Sequence, residues 1–110
     1  MRLLYLSIAL TCLATSAWAA EEALPAGAIQ RGTLANQNLI ADTKQGVAAK
    51  VATMGCTKLG DVATYVTQLP TGNPGSRRWK ELWIVSGCNH QYPVNIEFAE
   101  SGKDADWTIR

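Results

Sequence analysis

From Leu34 to Met54 the apolar residues recur with the period of a helix. Leu39, Ile40, Val47, Val51 and Met54 fall on one broad face, while Asp42, Lys44, Gln45 and Lys50 point away from it. Thr33 is the expected N-cap and Gly55 the expected stop. Gly46 weakens the middle by about 1 kcal/mol relative to Ala, so a break into two shorter helices is allowed. After Cys56 the period falls to two. Asp61 to Leu69 is β-branched and aromatic and reads as a strand. Arg77 to Cys88 reads as a second strand, Tyr92 to Phe98 as a third and Trp107 to Ile109 as a short fourth. The third alternates most cleanly, with Tyr92, Val94, Ile96 and Phe98 on one side and Pro93, Asn95 and Glu97 on the other. Turn residues separate these runs: Pro70 to Ser76, with two prolines and two glycines, then Asn89 to Gln91, then Ser101 to Asp104.

One helix followed by four closely spaced strands predicts an α+β domain. Short connections favour hairpins, hence a four-stranded antiparallel meander with the N-terminal helix packed on one face, in two layers. The expected division is an export signal over 1–19, a flexible arm over 20–32 and a single domain over 33–110.

The signal reading rests on pattern. Arg2 supplies a positive start, Leu3 to Leu13 an apolar run, and Ala17-Trp18-Ala19 a small-x-small cleavage box. Cys12 lies inside the apolar run, but Leu10-Thr11 before it do not make a lipobox. The expected location is therefore the periplasm or the extracellular space, with no stable membrane insertion. The whole chain has ten Lys and Arg against nine Asp and Glu, and losing Arg2 leaves nine against nine. With no basic run beyond Arg77-Arg78-Trp79-Lys80, a nucleic-acid partner is not expected.

Beyond the signal two cysteines remain, Cys56 and Cys88. In an oxidising compartment such a pair reads as a disulfide. A loop of this length gives about 3.5–4 kcal/mol by chain entropy, useful to a domain of about ninety residues. It would fix the helix end to the end of the second strand.

The densest stretch is WKELWIVSGC, residues 79 to 88. Trp79, Glu81, Trp83 and Val85 share one parity. A bulge at Ser86-Gly87 puts Trp83 and Val85 inside with Cys88. Without it Leu82, Ile84 and Cys88 face inward, and the tryptophans form an exposed aromatic patch. Trp83 is expected to be essential to folding and Trp79 dispensable. Glu81 between two indoles is a candidate acid or base; the alternative is an ion pair at the sheet surface with Lys80, Arg78 or a neighbouring strand. Arg77, Arg78 and Trp79 at a hairpin tip are candidates to grip an anionic or carbohydrate-like target. His90, the single histidine, sits in a turn beside the cystine. No metal-ligand spacing, phosphate loop or nucleophile elbow accompanies these residues, so no cofactor and no metal is expected.

The run W-x-E-x-W-x-V-x-G-C, then Y-P-V-x-I-x-F and W-x-I, resembles a group of small exported bacterial proteins of unknown function. The residues carrying it are Trp79, Glu81, Trp83, Val85, Gly87, Cys88, Tyr92, Pro93, Val94, Ile96, Phe98, Trp107 and Ile109. The resemblance implies an envelope location and a cystine-stapled α+β domain, and no activity. The expected function is a non-enzymatic binding module of the envelope, its partner another envelope or extracellular protein. The alternative is a small periplasmic hydrolase or metal-dependent enzyme using Glu81, His90 or Arg78. It requires those groups to converge in one pocket.

Overall fold

A computed structural model describes residues 23–110. The export-signal reading of 1–19, Cys12 included, lies outside the described residues. The remainder is α+β: one helix and one antiparallel sheet, tied by a disulfide between Cys56 and Cys88. In chain order the elements are β1 (Gln30–Arg31), α1 (Gln37–Thr53), β2 (Leu59–Thr71), β3 (Arg78–Gly87), β4 (His90–Ser101) and β5 (Asp104–Ile109). Each strand pairs with the next, so the sheet is a five-stranded meander.

The fifth strand corrects the expected four. β1 lies within the segment read as a flexible arm. Ile29 N–H donates to Val66 O and Gly32 N–H to Thr64 O, both at 2.8 Å, which fixes it along the edge of β2. Two exposed residues carry no alternation, so periodicity has nothing to register there.

The helix begins at Asn36, three residues later than Thr33. Asn36 Oδ1 accepts the Leu39 N–H at 2.9 Å, while Thr33 Oγ1 accepts the Ala35 N–H at 3.1 Å. Leu34 is already committed to the sheet through its N–H, as described below, and this keeps 33–35 out of the helix. At the other end Gly55 adopts φ +105°, with Gly55 N–H bonded to Ala52 O and Cys56 N–H to Val51 O. This is a Schellman ending at the expected glycine. It hands the chain directly to Cys56.

Gly46 does not break the helix. It lies where Trp107 of β5 crosses, so close that a β-carbon would stand 2.0 Å from the ring. A glycine unfavourable to the isolated helix is therefore required by its packing.

Leu39, Val47 and Val51 of α1 close over Trp79, Trp83, Val85, Val94, Ile96 and Phe98 of the sheet. Trp83 and Val85 thus face inward, and Trp79 with them. The β3–β4 register is unbroken from Arg78↔Ala99 to Gly87↔His90, so no bulge occurs at Ser86-Gly87. The parity conflict is resolved by the turn. Cys88 and Asn89 both adopt positive φ, 50° and 61°, forming a two-residue hairpin turn that swings the Cys88 side chain toward Cys56. His90 is accordingly the first residue of β4 and not part of the turn.

Candidate functional site

The residues singled out from the sequence separate into three places. The first is interior. Glu81 is fully buried and makes three hydrogen bonds, all to neutral N–H groups. Its Oε2 accepts from Trp79 Nε1 at 2.8 Å and from Leu34 N–H at 2.9 Å, and its Oε1 accepts from Trp83 Nε1 at 2.8 Å. The expected surface ion pair with Lys80 or Arg78 is not formed, because Glu81 has the inward parity and those two have the outward one. Alternation puts Glu81 between the two indoles and brings both ring nitrogens to it. With its oxygens occupied and no exposure, the carboxylate serves to orient two large core side chains and the residues leading into α1. Trp79, expected on a binding surface, is 6 % exposed and stacks on Phe98 with ring centroids 5.0 Å apart.

The second place is the hairpin tip. Arg77 does not reach outward. Its Nε and Nη2 donate to the two oxygens of Glu100 at 3.0 Å, and Glu100 Oε1 also accepts the N–H groups of Gly75 and Arg77. The fork of bonds from Arg77 and the two amides hold the Glu100 carboxyl at about 2, far below the usual carboxylate range. The loop after β2 is thereby fastened to the β4–β5 hairpin, which Gly102 N–H reinforces by bonding to Gly75 O at 2.9 Å.

The third place is the cystine end. His90 is exposed, its ring edge-on to Tyr92 at 6.2 Å. It borders a wide, shallow depression of about 780 Å³ with Lys58, Ser86, Asn89 and Gln91. Nine strand positions separate Gly87, its partner, from Arg78, roughly 30 Å at ordinary strand rise. Glu81, Arg77, Arg78 and His90 are therefore not brought together. Among the described residues no group of three or more His, Cys, Asp or Glu is placed to hold a metal ion.

A surface that sequence reasoning did not single out lies on the other side of the sheet. The helix covers one face, and among the described residues no element covers the second. Cross-strand register arranges its side chains in rows. One row is Ala63, Ile84 and Pro93; the next is Arg31, Tyr65, Leu82 and Asn95; the next is Lys80, Glu97 and Thr108. Arg31 sits over the Tyr65 ring at 5.9 Å. Arg78 and Arg110 both pair with Glu97, Arg78 Nη1 at 3.9 Å from Oε2 and Arg110 Nη2 on Oε1. Lys80, Glu97, Asn95, Thr67 and Arg110 line a depression of about 260 Å³. The alternation Arg78, Lys80, Leu82, Ile84 was readable as the second parity of the tryptophan strand. What periodicity leaves hidden is the arrival of Arg110 beside β4, set by its N–H bond to Asn95 O.

No family model, curated protein or solved structure matches this chain. Among the described residues no helix is long and apolar enough to cross a membrane.

Proposed function

We propose that this is an exported, non-enzymatic binding module of the cell envelope, and that its contact surface is the uncovered face of the sheet. The observation that carries this reading is the composition of that face. An aromatic and aliphatic centre of Tyr65, Ile84 and Pro93 is flanked by Arg31, Arg78, Lys80 and Arg110, a mixture typical of protein contact surfaces. The groups an enzyme would need support the same reading by being engaged elsewhere: Glu81 in the core, Arg77 at Glu100, and His90 at the far end of the sheet. At ordinary strand spacings the face measures roughly 20 Å by 27 Å, at the low end of specific interfaces. The partnership is therefore weak and exchangeable.

The test is site-specific photocross-linking in cells producing the full chain, with a benzophenone amino acid at position 65 or 84 and a control at 45 on the exposed side of the helix. Fractionation with thiol alkylation runs in parallel. Discrete adducts from 65 and 84, none from 45, and oxidised protein in the envelope fraction are expected. Absence of adducts at both face positions, or reduced protein in the cytoplasm, overturns the reading.

A further inference from the structure

The cystine presents its two sulfurs unequally. Cys56 has no exposure and belongs to the core cluster with Val51 and Val85. Gly87 packs directly on it: a β-carbon there would stand 3.0 Å from Cys56 Sγ. Cys88 is exposed, at the first position of the two-residue turn between β3 and β4. It borders the wide depression of about 780 Å³ at this end of the sheet, and the lining of that depression does not include Cys56. Thiol–disulfide exchange is an in-line displacement, in which a thiolate meets one sulfur on the side away from the sulfur that leaves. A path to Cys56 Sγ runs through the core. A path to Cys88 Sγ runs from solvent, across the depression.

We propose that Cys88 is a thiol-exchange site, the sulfur at which the cystine opens and closes, and that the depression around it receives a peptide thiol. The incoming thiolate bonds to Cys88 Sγ and the Cys56–Cys88 bond breaks. Cys56 Sγ leaves with the electron pair and takes a proton from water. The product is a mixed disulfide on Cys88. A second thiol on the incoming group then displaces Cys88, so that two electrons pass from the dithiol to the cystine. Run in reverse, Cys88 engages an oxidised dithiol first and Cys56 closes the bond. The lining suits a peptide carrier. Lys58 and Asp61 offer one charge of each sign, and Ser86, Asn89 and Gln91 offer donors and acceptors to backbone groups beside the thiol. The proposal rests on the cystine alone and stands or falls apart from the contact surface on the sheet.

The probes are reduced glutathione and an end-blocked Cys-Gly-Pro-Cys peptide. Each is added to the oxidised chain in native buffer and quenched with acid at successive times, and peptide mapping by mass spectrometry locates the adduct. Either probe is expected to give at least tenfold more mixed disulfide on Cys88 than on Cys56. In urea above the unfolding midpoint the two cysteines should be labelled about equally, since the fold no longer distinguishes them. At equal thiol concentration the faster probe tells a free peptide thiol from a dithiol carrier. Glutathione is anionic, so Lys58→Glu should slow its attack several-fold and Asp61→Asn should speed it, with melting temperatures unchanged. The unmodified chain supplies the mapping result, so the test stays decisive if either variant melts. Equal labelling of the two cysteines in native buffer, or labelling of Cys56 first, overturns the proposal. A glutathione rate indifferent to both folded variants removes the depression as the path of entry.

Discussion

Gly46 and Trp107 meet at van der Waals contact with no room for a methyl group between them; a β-carbon on Gly46 would lie 2.0–2.7 Å from three ring atoms. The pair fixes how α1 sits on β5. Gly46→Ala improves intrinsic helix propensity by about 1 kcal/mol yet overpacks the interface. A net loss of about 1–2 kcal/mol is expected in urea unfolding, and Trp107→Leu in the same chain should recover most of it. A stabilised single variant would mean that the ring moves aside freely.

Glu81 can be examined by a near-isosteric change. Glu81→Gln keeps the shape but turns an amide N–H₂ toward at least one of three N–H donors. The expected loss is about 2–4 kcal/mol, for a buried donor left without an acceptor. Glu81→Leu, which strands all three donors, should lose more. Chemical denaturation measures both; equal stability of the Gln variant would show the hydrogen bonds to be dispensable.

The tryptophans are expected to behave alike and not oppositely. Trp79 stacks on Phe98 at 5.0 Å and Trp83 packs against it at 6.4 Å, both inside. Truncating either to Ala should cost about 3–5 kcal/mol. Near-ultraviolet dichroism and thermal melting distinguish this from the sequence-based expectation, in which only Trp83 is essential.

Reduction of the Cys56–Cys88 bond should lower the melting midpoint substantially, because it releases a loop closed across 32 positions. The chain-entropy value is about 3.5–4 kcal/mol. Gly87 belongs to the same construction: a β-carbon there would stand 2.7 Å from Lys58 O and 3.0 Å from Cys56 Sγ. Gly87→Ala is therefore expected to destabilise the oxidised protein and to slow formation of the bond, read by alkylation of free thiols during refolding.

Glu100 gives the pH dependence. Its carboxyl, held at about 2 by the Arg77 side chain and then the Arg77 and Gly75 amides, is depressed in the folded state. The associated stabilisation is thus fully present above the unfolded value near 4.3 and is lost as pH falls through about 2. The loop between β2 and β3 should loosen over that window, seen as broadening of the Gly75 and Arg77 amides. Glu100→Gln should abolish the transition.

Much of the fold is legible in the sequence. The helical face of Leu39, Val47 and Val51, the Gly55 stop and the alternation of Val94, Ile96 and Phe98 follow from spacing, and the cystine from the two cysteines left beyond the expected signal. What was not legible depends on partners remote in sequence. Nothing near Leu34 announces that Glu81 will take its N–H and delay the helix to Asn36. Nothing near Arg77 announces Glu100, which turns a candidate ligand-gripping residue into a fastener. The parity of Glu81 with Trp83 is legible in the sequence, but its partners are not: indole N–H groups and a distant amide satisfy it in place of the surface cations a charged side chain ordinarily finds. The uncovered face is not legible from β3 alone, because its rows are assembled by register from Arg31, Tyr65 and Asn95 on other strands.

The three donors to Glu81 sit at positions 34, 79 and 83. A single carboxylate therefore governs both the onset of the helix and the rotamers of the largest core rings. The lead-in to α1 cannot fray by itself, since releasing the Leu34 amide also unsettles the indoles beneath it. In hydrogen exchange the amide of Leu34, despite its place near the start of the domain, should open only with the whole molecule.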